Sequence, residues 1–182
     1  MQELSLHILD IVNNSVRAGA HLVEITVEED VCNNVLRIRI DDDGCGMDED
    51  FLKNVLDPFR TTRTTRKVGM GLSLFRAAAQ QADGDLTISS QNGVGTSVSA
   101  FFRYDHIDRQ PLGDMSETMM TLISGNMTVE FIYRHIFNRK EFLIDTRKIR
   151  QILGQDADLG CPEIVLWMKE YIQEGINSLK CE

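Results

Sequence analysis

From Leu36 to Gly46 the chain reads Leu-Arg-Ile-Arg-Ile-Asp-Asp-Asp-Gly-Cys-Gly. Leu36, Ile38 and Ile40 alternate with Arg37 and Arg39. That period of two predicts a strand with one buried face. The strand runs straight into Asp42-Asp43-Gly44-Cys45-Gly46, which places a carboxylate at a sheet edge. Glycine has no Cβ, so the backbone there can approach something flat. A buried carboxylate in that position can accept a hydrogen bond from an exocyclic amine. The ordinary alternative is a solvated turn, because Asp and Gly are common turn residues.

Other segments add to this one. Leu4, Ile8, Ile11, Val12 and Val16 recur at helical spacing and predict an amphipathic helix over residues 4–17. His7, Asp10, Asn14 and Arg17 fall on a second stripe. Such a row normally faces water. Here Asp10 and Asn14 are oxygen donors one turn apart, and both can face one hydrated cation. Gly19 stops the helix as a left-handed cap.

Val23, Ile25 and Val27 form another alternating strand, and Asn33-Asn34 turns the chain back. A short helix follows Met47-Asp48, and Pro58-Phe59 ends it. Residues 60–67, Arg-Thr-Thr-Arg-Thr-Thr-Arg-Lys, are basic without hydrophobic period and read as a loop. They lead into Gly69-Met70-Gly71-Leu72-Ser73, which opens an apolar helix. Glycines at a helix start leave backbone N–H groups free at the positive end of the dipole, a ready anion site. Beside a basic loop, phosphate is the expected anion. Leu86 and Ile88, then Val98, Ala100 and Phe102, predict two more strands around Asn92-Gly93, with Gly95-Thr96 opening the last.

Residues 105–114 read as a linker. Beyond it the pattern predicts a helix at Met115–Ile123 and a hairpin of Val129, Phe131 and Tyr133 with Phe142–Ile144. Two further helices follow, the last starting at Pro162. A lone hairpin is marginal, so it must pack on a helix or extend the sheet.

The net charge of −9 disfavours nucleic acid as the main partner. No apolar run is long enough to span a bilayer, and the amphipathic N-terminus shows no secretory signal. Cys32, Cys45, Cys161 and Cys181 have neither zinc nor disulfide spacing, so reduced thiols and a cytoplasmic location are expected.

Asp10-Ile11-Val12-Asn13-Asn14-Ser15-Val16-Arg17-Ala18-Gly19-Ala20 resembles the N box of the GHKL ATPases, the superfamily of gyrase B, ninety-kilodalton heat-shock chaperones, histidine kinases and MutL proteins. Asp42–Gly46, Gly69–Leu72 and Gly93–Thr96 resemble its three glycine boxes, in the same order. The resemblance covers roughly residues 4–103. It implies a two-layer α+β sandwich, the Bergerat ATP-binding fold: a mixed, mainly antiparallel sheet covered by helices on one face. Its domain would span residues 1–104, with a small α/β appendage over 105–182. It implies that Asn14 holds Mg²⁺ on the phosphates and that Asp42 bonds the adenine amine, with Thr96 assisting. Gly44 and Gly46 would admit the base, and Met47, Val55, Phe59 and Leu72 would wall it. Gly69 and Gly71 would face the phosphates, under a lid at 60–68 from which Arg63 or Lys67 reaches the γ-phosphate.

Two departures shape the functional expectation. Hydrolysing members of the superfamily carry Glu four residues before the N-box Asn, where this chain has Asp10 as candidate base. Its carboxylate is retracted by about one bond, and a misplacement of about 1 Å can cost a hundredfold in rate. The predicted helix also begins almost at the N-terminus, which leaves no room for the hairpin bearing a phosphoacceptor His. The expectation is a Mg-ATP-binding, histidine-kinase-like ATPase or protein kinase acting on another protein, in one variant on a partner's Ser. The alternative is a non-catalytic, ATP-gated module. Neither the protein partner nor the oligomeric state is given by the sequence.

Overall fold

The structure, a computed structural model, describes residues 3–52, 70–154 and 157–181. Helix α1 spans Leu4–Arg17. Leu4, Ile8, Ile11 and Val12 are buried along it, as their spacing predicts. The polar stripe is not uniform. Asp10 and Asn14 are half-buried, but His7 is only 2% exposed and its ring stacks on Phe75 at 5.1 Å. Burial there disfavours the imidazolium and lowers the His7 pKa, although Gln110 Oε1, 3.2 Å from Nε2, works in the other direction. Gly19 ends the helix at φ +79°.

Strands β1 (Leu22–Asp30) and β2 (Val35–Asp42) pair antiparallel, with Ile25 opposite Ile40 and Val27 opposite Ile38. A short helix, α2 (Glu49–Leu52), follows, and α3 spans Met70–Gln81. Strands β3 (Asp85–Gln91) and β4 (Gly95–Arg103) pair with each other, and β4 pairs with β2, again antiparallel. The register keeps the apolar residues of each strand on one face, because side chains alternate with a period of two.

Residues 105–114 are tied down at several points, by Asp105 to Asn34, by Gln110 to His7 and by backbone bonds to the start of α1. Pro111 and Leu112 carbonyls accept from the Leu4 and Ser5 N–H groups, at 3.0 and 2.8 Å. Those are first-turn donors of α1 that no helical carbonyl can reach. Helix α4 (Met115–Gly125) follows, capped by Asp114. The predicted hairpin is β5 (Glu130–Phe137) with β6 (Lys140–Asp145), and it extends the sheet: β5 lies parallel to β1, with Tyr133 opposite Ile25. The six strands run in the order β3-β4-β2-β1-β5-β6. The β1–β5 junction is parallel and the others are antiparallel. Helices α5 (Thr146–Leu153) and α6 (Pro162–Lys180) complete the chain.

Helices α3, α1, α4 and α6 lie side by side in that order over the apolar face of the sheet. Val23, Ile25, Ile38, Ile40, Ala100, Phe131 and Tyr133 are buried beneath them. The other face carries Glu24, Arg37 and Arg39, all exposed. This is a two-layer α+β sandwich with a mixed, mainly antiparallel sheet. The end of the β1–β2 pair farthest from Asp42 holds a polar cluster that runs from the core to the surface at Lys180. Glu29 Oε1 lies 2.8 Å from His135 Nε2 and 3.1 Å from Lys180 Nζ, and Tyr133 Oη lies 2.6 Å from His135 Nδ1.

Candidate functional site

Asp42 is the last residue of β2, and both its oxygens are engaged. Ser15 Oγ donates to Oδ2 at 2.5 Å, and the Gly44 N–H donates to Oδ1 at 3.0 Å. The carboxylate is thereby fixed between α1 and the glycine turn, with lone pairs left for a further N–H donor. Asp43 does a different job. Its Oδ1 accepts the N–H groups of His21 and Leu22 at 2.7 and 2.9 Å. Burial pushes its pKa up, but those two donors outweigh it and hold the carboxyl below the ordinary range.

The glycine turn fits only because side chains are missing. A Cβ on Gly44 would meet Asp42 Oδ1 at 3.0 Å and the Ala18 carbonyl at 3.1 Å. Gly46, at φ +66°, would put one 2.0 Å from the Gln91 carbonyl. Backbone bonds stitch the segments together: Cys45 N–H to Ala18 O at 2.9 Å, and Gly93 N–H to Cys45 O at 2.8 Å. The end of α1, the turn after β2 and the turn between β3 and β4 therefore form one surface.

Thr96 stands opposite Asp42 in the β2–β4 register. Its Oγ1 lies 2.9 Å from Ser90 Oγ. Ser90 Oγ also accepts the Met47 N–H at 2.8 Å and lies 3.0 Å from the Gly95 carbonyl. Met47 is half-buried against the core, and Leu72 is buried. On α1, the Asn14 side chain has no partner among the described residues. One turn away, Asp10 packs against the start of α3: a Cβ on Gly71 would lie 1.8 Å from Asp10 Oδ2.

The fold thus brings Asp42, Gly44, Gly46, Met47 and Thr96 to one end of the sheet beside Asn14 in the last turn of α1, with Asp10 one turn back, where it meets Gly71 at the start of α3, next to Leu72. Val55, Phe59, the stretch 60–68 with Arg63 and Lys67, and Gly69 lie outside the described residues. The sequence reading missed Ser15 and Ser90. Ser15 follows Asn14 but points to the buried side of α1, and Ser90 is a plain polar residue in an alternating strand. Only the strand register and the helix phase reveal them.

A fixed carboxylate and a hydroxyl on adjacent strands, with glycine backbone between them, have the chemistry to meet a polar heterocycle, and two oxygen side chains one turn apart have the chemistry to face a hard cation. Among the described residues no cluster of three or more His, Cys, Asp or Glu could hold a metal by itself. A cation here would take further ligands from a bound anion and from water. Among the described residues no helix is long and apolar enough to cross a membrane.

The chain is 32% identical over 96 residues to the histidine protein kinase DivJ of Caulobacter vibrioides, covering 50% of this chain and 16% of that one. It is 31% identical over 113 residues to the tetrathionate sensor histidine kinase TtrS of Salmonella typhimurium, covering 60% and 18%. The chain thus spans less than a fifth of the length of these curated relatives. A crystal structure of the N-terminal domain of a DNA repair protein has the same fold, with a TM-score of 0.55 at 16% identity, over 79% of this chain and 52% of that one. Residues 2–106 match the family model for the histidine kinase-, DNA gyrase B- and HSP90-like ATPases. That match takes in α1, β1–β4 and every site residue above, and the chain belongs to this family of ATP-binding domains.

Proposed function

We propose that the chain binds Mg-ATP at this end of the sheet and acts as a histidine-kinase-like ATPase or protein kinase on a protein partner. Asp42 accepts the adenine amine, with Thr96 beside it on the neighbouring strand. Gly44 and Gly46 admit the ring, which Met47, Leu72 and Phe59 enclose. Gly71, in the first turn of α3, presents backbone to the phosphates where the helix dipole favours negative charge, and Gly69 before it takes the same part. Asn14 ligates Mg²⁺, whose charge offsets that of the phosphates. Arg63 or Lys67 reaches the γ-phosphate, and Asp10 orients a water. The observation that carries this reading is the double anchoring of Asp42 by Ser15 and Gly44 across from Thr96. A carboxylate held in this way costs little further entropy when it accepts an amine.

Calorimetric titration of ATP with and without Mg²⁺ tests the binding step, and release of phosphate tests turnover. Tight, Mg-dependent binding together with turnover lost in Asp10→Ala is the expected result. Full turnover in that variant would remove Asp10 as the base, and absent binding would end the reading. Transfer of label from γ-labelled ATP to a co-purifying protein tests action in trans.

One observation favours a second reading, an ATP-gated module without turnover. The carboxylate of Asp10 lies against Gly71 at the first turn of α3, an already favourable place for it. A retracted acid held there is poorly placed to activate water. In this reading binding is tight, turnover is negligible, and partner affinity differs between the ATP and ADP states.

A further inference from the structure

Helix α6 lies beyond the family match, which ends at residue 106. Glu163, Leu166, Trp167, Glu170, Tyr171 and Glu174 recur three and four residues apart along it. They therefore share one face, and all six are exposed. Leu166, Trp167 and Tyr171 keep 58, 50 and 45% of their surface in water. The opposite face, with Met168, Ile172 and Leu179, is buried in the molecule. The stripe is therefore surplus to the core.

It is also rigid. Trp167 stacks on Tyr171 with ring centroids 5.5 Å apart and planes at 12°. Tyr171 in turn meets Phe142 of β6 at 5.4 Å. Gly175 lets α6 sit so close to β6 that a Cβ there would lie 2.1 Å from the Phe142 ring. A ligand would find these rings already ordered, which removes part of the entropic cost of binding.

Charge decides what the ligand is. Glu163, Glu170 and Glu174 have no partner among the described residues, while Lys169 on the flank is bound to Glu117. Three unpaired carboxylates interleaved with three apolar side chains, on a chain of net charge −9, repel a second copy and an anionic membrane. They also resist insertion into a neutral bilayer, where each carboxylate would be desolvated without a partner. A cationic apolar segment satisfies both components, and the three-and-four spacing matches the repeat of a helix. We infer that this face of α6 docks an amphipathic helix of a partner protein. Its apolar side chains lie on Leu166, Trp167 and Tyr171, and its Lys or Arg residues lie on Glu163, Glu170 and Glu174.

Trp167 is the only tryptophan of the chain, so its emission reports directly on this face. The test titrates the full chain with a helical leucine–lysine peptide of about 18 residues, long enough to cover three turns. A peptide of the same composition with scrambled order serves as control. The expected result is a saturable blue shift with the helical peptide alone, weakened by salt. In E163Q/E170Q/E174Q, which keeps the reporter and touches only exposed positions, affinity falls about tenfold. No shift, or an equal shift with the scrambled peptide, overturns the inference. So does a shift on concentrating the chain alone, which would mean a second copy, or a shift with phosphatidylcholine vesicles, which would mean a membrane.

Discussion

Gly71 leaves no room for a methyl group beside Asp10: a Cβ there would stand 1.8 Å from Oδ2 and 2.9 Å from Cγ of that carboxylate. The start of α3 and the middle of α1 interlock at this point. Gly71→Ala must turn the Asp10 carboxylate to another rotamer, at a cost of about 1 kcal/mol, against which the better helix propensity of Ala contributes a similar gain. The Cβ of Asp10 would lie 3.7 Å away, an ordinary contact. Asp10→Ala should therefore relieve most of the damage. Thermal unfolding of the two single variants and the double variant should show non-additivity of about 1 kcal/mol. Additive effects would mean that the two residues do not touch.

Asp42 makes a second prediction. Asp42→Asn keeps one acceptor oxygen but disturbs the bonds to Ser15 and Gly44 and weakens acceptance of an amine. A part-buried polar pair disturbed in this way costs about 1–3 kcal/mol, so ATP should bind roughly tenfold to a hundredfold more weakly. Calorimetric titration measures this, and unchanged affinity would remove Asp42 from the adenine site. Ser15→Ala should show a smaller loss in the same assay, because it frees the carboxylate without altering it.

Ser90 of β3 ties two other segments through one oxygen: the glycine turn at the Met47 N–H, and the start of β4 at the Gly95 carbonyl and the Thr96 hydroxyl. Ser90→Ala leaves the Met47 N–H without its acceptor and the Thr96 hydroxyl free to rotate. The expected loss is about 1 kcal/mol, a few-fold to tenfold in ATP affinity. Because Ser90 acts through Thr96, the double variant with Thr96→Ala should be little worse than the worse single one. Independent, multiplying losses would count against that coupling.

These residues also mark how far the sequence could be read. Helix α1 and strands β1–β4 were legible because each has one buried face, and burial imposes a period on the apolar residues. Asp42 and the glycines were legible as a motif at a strand end. Ser15 and Ser90 were not, because a single hydroxyl has no periodic signature and acquires its role only when two segments meet. The alternation around Phe131 and Phe142 predicted a hairpin, but nothing in it named β1 as neighbour. A parallel partner is chosen by packing across more than a hundred residues, and local pattern does not carry that choice. His7 misled for a similar reason: it lies on the polar stripe of α1, yet Phe75 of α3 covers it.

The last prediction concerns acid stability and the far end of the sheet. Glu29 is buried among His135, Lys180 and Tyr104, its Oε2 lying 3.2 Å from the tyrosine hydroxyl. Burial pushes its carboxyl up, but hydrogen bonds and charge from His135 and Lys180 overcome this and draw the pKa from 4.5 down to about 2. The folded state therefore binds the proton less readily than the unfolded chain. The stability that Glu29 contributes is full above about pH 4.5 and is lost as the pH falls towards 2. Glu29→Gln removes one partner of a buried pair and should cost about 3 kcal/mol near pH 7. The same variant should lose less on acidification, so its unfolding midpoint, followed by circular dichroism from pH 7 to pH 3, should converge on that of the wild-type chain. Parallel curves that never approach each other would show that Glu29 does not titrate with unfolding in this range.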